Sequence, residues 1–420
     1  TEIVALLLAR EDIMVNIQDY NKDTPLHIAS SKGKGYTEIV ALLLAREDIM
    51  VNIKNKYDET PLHFASLNGY TEIAKLLLAR EDIMVNIKNK YDETPLYFAS
   101  LYGHPDIVEL LLAHPKINVN INNESNETPL HMASTGRHTK IVELLLTHPE
   151  IDVNVQNNLK ETPLHTAAFK NNTEIVELLL VRDDIMVNLK NDYSKSPLHI
   201  ASIRGNTEIV ELLLKREDIV VNIQNDYENT PLHIASSKGY TSKGYTDIVE
   251  LLLAHPKIEV NVGNNIGDTP LHFASLNGYT EIVKLLLACE DIMVNIKNKY
   301  DETPLHFASL KGYTEIVKLL LAHKEIMVNI QDNYKQTPLH TAVFKNNTKI
   351  VELLLDVDNI NVDLIDKSGK NPLNIALTTR NTKIIKLLSE DRDKYDNMAN
   401  KFNYIHNKKT KKKGKSKIFK

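Results

Sequence analysis

Cysteine is nearly absent: Cys289 is the only one in 420 residues, which excludes a disulfide framework and suits a reducing compartment. Long apolar runs are missing too, and none approaches the roughly 18 residues that span a bilayer. Nothing at Thr1 reads as a charged-then-apolar leader, so secretion has no support. The usual chemical signatures are also lacking. No glycine-rich loop follows a strand, no cysteines are paired, and no His-Glu-x-x-His occurs. Acid pairs such as Glu81-Asp82 do occur, but they recur along the chain, and recurrence marks a helix end rather than one catalytic centre. These absences point away from an enzyme, a cofactor and a small-molecule substrate.

Apolar residues make up 42% of the chain and charged residues 25%, enough for an extended core. The net charge of −5 is unevenly placed. Residues 408–420 hold eight Lys and no acid, so residues 1–407 carry −13. An acidic body and a basic tail address different partners.

Self-similarity decides the organisation. Thr-Pro-Leu-His-x-Ala starts at Thr24, Thr60, Thr128, Thr162, Thr230, Thr269, Thr303 and Thr337, with variants at Thr94, Ser196 and Asn371. The starts are 34 residues apart except for one interval of 36 and one of 39. Within residues 55–88, Thr60 and Pro61 predict a helix start and Gly69 its end. Thr71 is expected to cap a second helix, whose Ile73, Leu76 and Leu77 recur at helical spacing. A polar hairpin follows. Two such short helices cannot bury that face alone, so neighbours must stack.

This pattern resembles the ankyrin repeat over about residues 1–388. The resemblance implies an all-α solenoid of stacked helix-turn-helix pairs with short β-hairpin fingers. Residues 1–18 read as a partial repeat, so the sequence is expected to be a fragment; eleven repeats follow, the last with polar replacements that suit a terminal position. Extra residues at Gly33-Lys34-Gly35 and the tandem Ser-Lys-Gly-Tyr-Thr at 237–246 fall between the two helices, where insertions are tolerated. Family fingers carry Gly two residues before the motif Thr; here only Gly267 and Gly369 remain, and Lys160 and Glu228 predict looser or differently turned tips.

The resemblance also implies that motif histidines such as His63, His131 and His165 bond to neighbouring backbone. Metal binding is disfavoured, because stacked helices stand ~8–10 Å apart. Asn86 and Asn295 read as loop braces. Cys289, which replaces the Arg of Arg46 and Arg80, reads as drift on a helix surface.

Function is expected at positions that vary. Seven residues after the motif start stand Leu67, Leu101, Phe169, Ile203, Leu276, Leu310 and Phe344, followed by basic Lys170, Arg204, Lys311 and Lys345. Three residues before the motif stand Tyr57, Tyr91, Tyr193, Tyr227, Tyr300 and Tyr334. In the ankyrin architecture these rows line the concave face, and tyrosine and apolar anchors ringed by charge compose a protein-binding surface. The competing reading packs them against their neighbours. Ser-x-x-Gly variants and Phe-Lys-Asn-Asn (169–172 and 344–347) recur in order, so a block of repeats has been copied.

Tyr395, Met398, Phe402 and Ile405 predict a short amphipathic helix over 389–406. Residues 407–420 are too charged to fold, and Lys408, Lys409, Lys411, Lys412, Lys413 and Lys415 suit an import receptor, an anionic membrane, nucleic acid or a merely solubilising end. The expectation is a monomeric cytoplasmic scaffold or adaptor for other proteins. A regulatory array of a larger enzyme or channel, and a nuclear regulator, stay open.

Overall fold

Why each repeat folds as it does is visible around Thr60. Its backbone is extended (φ −106°, ψ 166°), and Pro61 begins the helix with its φ already suited. The Thr60 N–H donates to His63 Nδ1 (3.0 Å), a capping box with imidazole in the usual place of a carboxylate. Gly69 ends the helix in the left-handed region at φ 74°. Contrary to expectation, Thr71 does not cap the second helix. It is the first helical residue, Tyr70 occupies the cap position, and no side chain caps it. The turn at Gly69, closed by the bond from the Thr71 N–H to the Gly69 carbonyl (3.1 Å), leaves Thr71 one position inside the helix.

The computed structural model describes residues 1–238 and 243–390, and the chain divides into two compact units, Thr1–Asp226 and Tyr227–Lys420. In the first unit, α1 (Glu2–Leu8) is followed by paired helices: α2 (Pro25–Lys32) with α3 (Thr37–Leu44), α4 (Pro61–Asn68) with α5 (Thr71–Leu78), and α6 (Pro95–Tyr102) with α7 (Pro105–Leu112). Then come α8 (Pro129–Gly136) with α9 (Thr139–Leu146), α10 (Pro163–Lys170) with α11 (Thr173–Leu180), and α12 (Pro197–Arg204) with α13 (Thr207–Leu214). In the second unit α14 (Pro231–Ser237) pairs with α15 (Lys243–Leu253), and α16 (Pro270–Asn277) with α17 (Thr280–Leu287). After them come α18 (Pro304–Lys311) with α19 (Thr314–Leu321), α20 (Pro338–Phe344) with α21 (Thr348–Leu355), and α22 (Pro372–Thr379) before a helical run over 382–390.

Within each unit first helices pack on first helices and second on second, as α4 on α6 and α5 on α7, or α16 on α18 and α17 on α19. The faces that meet are apolar. Leu62, Ala65, Ile73, Ala74 and Leu77 are buried, and Ile83 and Val85 close the end of the layer. Burying each large side chain contributes roughly 1.5–3 kcal/mol, which no isolated eight-residue helix could gain.

The fingers contain no strand among the described residues. Each is a turn held by one side chain: Asn55 Oδ1 accepts from the N–H groups of Tyr57 and Glu59, and the Asn55 N–H donates to the Glu59 carbonyl. That organiser corrects the expectation of irregular tips. Lys160 (φ 55°) and Glu228 (φ 57°) adopt the same left-handed turn as Asp58 (φ 60°) and Gly267 (φ 82°). The neighbouring fingers also meet, as in the bond from Lys90 N–H to the Tyr57 carbonyl (3.0 Å).

The insertion in the first repeat forms a short 3-10 helix, Lys34–Tyr36, between α2 and α3. Residues 239–242 of the second insertion, the proposed terminal helix beyond residue 390, and the Lys-rich tail lie outside the described residues.

Candidate interaction surface

The motif residues are consumed inside the stack. His63 Nδ1 accepts from Thr60, which leaves the proton on Nε2 to donate to the Glu93 carbonyl one repeat later (3.2 Å). The same bond runs from His131 to Glu161 (3.0 Å), from His165 to Lys195 (3.1 Å) and from His306 to Gln336 (3.1 Å). Burial pushes His63, His131, His165, His233, His272 and His306 down to about 4, so these rings are neutral at pH 7. A ring with both nitrogens engaged offers nothing to a ligand. Among the described residues no three His, Cys, Asp or Glu side chains come together as a metal site, and no helix is long and apolar enough to cross a membrane.

The asparagines after Val brace the layer below the fingers. Asn86 Nδ2 donates to the Lys116 carbonyl (2.7 Å), and its Oδ1 accepts from the Asn118 N–H (3.0 Å). Asn295 does the same toward Glu325 and Met327. Sequence reasoning missed a third tie. Arg46 pairs with Asp48 and donates to the carbonyl of Leu8 (3.0 Å), and Arg216 pairs with Asp218 and reaches that of Leu180 (3.1 Å). Cys289 stands where those guanidiniums stand and keeps only a contact with its own helix, to the Leu285 carbonyl (3.6 Å). Burial pushes its thiol up, away from the reactive thiolate.

The variable rows sit differently. Tyr57, Tyr91, Tyr193, Tyr227, Tyr300 and Tyr334 are exposed along the fingers. Lys170, Arg204, Lys311 and Lys345 are exposed at the ends of the first helices. The row seven residues after the motif start is split. Leu67, Leu101, Ile203, Leu276 and Leu310 are half-buried, and Leu67 and Leu101 pack against the buried cluster of Tyr97, Phe98 and Met132. Phe169 and Phe344 instead stand out at 47% and 58% exposure. Both readings of this row thus hold, at different repeats.

Each exposed phenylalanine has at least one cation over its ring: Arg204 at 4.6 Å and Lys170 at 5.9 Å from the Phe169 centroid, and Lys345 at 5.4 Å from that of Phe344. Tyr193 and Tyr334 are flanked similarly by Lys195 and Lys367. Between the fingers and first helices of the first unit runs a row of half-buried acids: Asp23, Glu59, Glu93, Glu127 and Glu161. Burial holds Glu59 above the usual carboxylate range, with Asp23 and Glu93 adding to the effect. The Tyr97 hydroxyl is pushed up to about 12 by burial first and then by Glu127 and Glu93. These acids bond to finger asparagines, which sequence reasoning missed. Their signal was present: Asn55, Asn89, Asn123, Asn157 and Asn191 recur five residues before the motif.

Comparison with protein-family models gives one family, ankyrin repeats (3 copies), which matches residues 35–123, 116–191, 184–264, 240–332 and 324–400. No curated protein matches the chain. The family is typically non-catalytic, and its repeats generally mediate protein–protein interaction. A motif spent on joining neighbours, paired helices stacked like on like, and a family match over most of the sequence lead to one statement: the chain belongs to the ankyrin-repeat family.

Proposed function

We propose that this protein is a scaffold or adaptor that binds other proteins through the first helices and fingers, without chemistry of its own. One observation carries the reading. Residues shared by the repeats are used up between repeats, while exposed aromatic and charged side chains concentrate where the repeats differ, at Phe169, Phe344 and the tyrosine row. Exposed tyrosine and phenylalanine beside cations supply anchor area at low entropic cost. The single, unreactive cysteine is consistent with a cytoplasmic setting.

The test is partner recovery from cell extract by the full chain, compared between two kinds of variant. Phe169→Ala with Phe344→Ala and Tyr334→Ala is expected to lose the recovered proteins, whereas Glu211→Ala on the outer face of α13 keeps them. Recovery that survives the first set, with the melting temperature of both proteins unchanged, sinks the proposal. Leu67 and Leu101 are unsuited to this purpose, because a charge there would break into the Tyr97–Phe98–Met132 cluster.

A further inference from the structure

The two exposed phenylalanines share a cationic setting. Phe169 lies near the end of α10, with Lys170 beside it. The preceding first helix is capped at its end by Arg137 and the following one ends at Arg204, both exposed. Arg137 is anchored, since its Nη2 donates to the Lys170 carbonyl (2.7 Å). Arg204 lies over the Phe169 ring.

The second unit repeats the plan with its own residues. Phe344 closes α20 with Lys345 next to it; of the flanking first helices, one ends at Lys311 and the other is capped by Arg380. Leu377 of α22 is exposed as well. Among the described residues none of these six cations has a carboxylate partner, although ion pairs are common elsewhere, along the second helices and at the finger pair Lys160–Asp192. They are local exceptions on a body whose residues 1–407 carry −13. Some of the basic character suits the negative ends of helices. That does not account for an exposed phenylalanine at the centre of each triad.

The spacing limits what fits. First helices stack at roughly 8–10 Å, so each triad draws its three cations from helices about that far apart. An extended chain in the polyproline II form advances about 3.1 Å per residue and returns to the same face every third residue, so every third side chain meets the next cation. We propose that each triad, Arg137–Lys170–Arg204 and Lys311–Lys345–Arg380, holds an extended acidic peptide segment. Its carboxylates recur about every third residue, and one apolar side chain rests on Phe169 or Phe344. The proposal rests on the reading of this face as a protein-binding surface and names the chemistry of its partner.

The experiment uses the full chain and two labelled synthetic peptides, followed by fluorescence anisotropy. One peptide has Glu at every third position around a central Leu; the other has Lys in place of Glu. The acidic peptide is expected to bind and the basic one not, with affinity falling as salt rises. Phe169→Ala with Phe344→Ala should weaken binding about tenfold. Lys170→Glu, Arg204→Glu, Lys345→Glu and Arg380→Glu together should abolish it. If the fourfold variant melts early, Lys170→Gln with Lys345→Gln serves instead, and Lys170→Arg with Lys345→Arg should retain binding. Equal affinity for both peptides, no binding of the acidic one, or an affinity indifferent to these changes overturns the proposal. So does a thymidine oligonucleotide that binds as tightly and ignores the phenylalanine changes, since that is general polyanion attraction. Capture of a partner protein without any acidic-peptide binding would leave the scaffold reading standing and remove only this one.

Discussion

His131 reaches across a repeat boundary to put its Nε2 3.0 Å from the carbonyl oxygen of Glu161, while its Nδ1 accepts from Thr128 within its own repeat. One ring therefore ends a helix and joins two repeats. Replacing it separates the two tasks. The last repeat already carries asparagine at this place, where Asn374 Oδ1 accepts from the Asn371 N–H (3.2 Å). His131→Asn should thus keep the cap and lose the inter-repeat bond, at a cost of about 1–3 kcal/mol because the Glu161 carbonyl loses its partner. Urea unfolding of the variant against the parent measures it, and an unchanged midpoint would mean the bond contributes nothing.

Acid should weaken the stack before it protonates ordinary carboxylates. The six histidines held to about 4 are neutral when folded and titrate near 6.5 when unfolded, so the unfolded chain binds more protons. Their contribution is complete above about pH 6.5 and is lost as pH falls toward 4, on the order of 3 kcal/mol for each. Glu59, Asp268 and Glu302 are raised by burial and act in the opposite direction, but only near the carboxylate range. The unfolding midpoint is expected to drop steadily between about pH 7 and pH 5. A flat profile would contradict neutral buried rings.

Gly69 and Gly35 should respond very unequally to the same methyl group. A Cβ on Gly69 would stand 2.6 Å from the His104 ring, on backbone already at φ 74°. At Gly35 a Cβ would meet nothing within 4 Å. Gly69→Ala is expected to cost about 1–3 kcal/mol and Gly35→Ala less than about 0.5 kcal/mol. Thermal melts of the two single variants decide it, and equal losses would show that the approach of His104 is unimportant.

Lys335 holds a left-handed turn (φ 57°) that glycine adopts without penalty. Lys335→Gly should stabilise the finger by about 0.5–1 kcal/mol, since relief of strain outweighs the added freedom of the unfolded chain. Denaturant unfolding reads this directly, and destabilisation would show that the Asp332 carboxylate, which accepts from the Tyr334 and Gln336 N–H groups, already relieves the turn.

Much of the architecture was legible because its signals are local. Thr60, Pro61 and Gly69 state where a helix starts and ends, and the 34-residue recurrence states that the units stack. What escaped was set by neighbours. Thr71 reads as a cap until the turn at Gly69 sets it inside the helix. Lys160 reads as a poor turn former until a side chain five residues before the motif fixes the finger. The apolar row looked uniform in sequence, yet Leu67 and Leu101 have Tyr97, Phe98 and Met132 to lean on, and Phe169 and Phe344 remain exposed. Arg137 and Arg380 were missed because they lie one place beyond the helix-end positions considered, in left-handed caps whose direction no periodicity reveals.

The histidine bond has a consequence for how such a chain can change in length. His63 spans 30 residues to Glu93, His27 spans 32 to Glu59, and His233 spans 35 to Asp268, yet the contacts measure 3.2, 3.1 and 3.0 Å. Residues added between the helices leave the junction unaltered. Duplication or loss of a whole unit would likewise remake every junction from the same parts. Genetic copying can therefore lengthen or shorten the array in whole steps, and the surplus copies are then at liberty to diverge at their outer side chains, as Phe169 and Leu67 have.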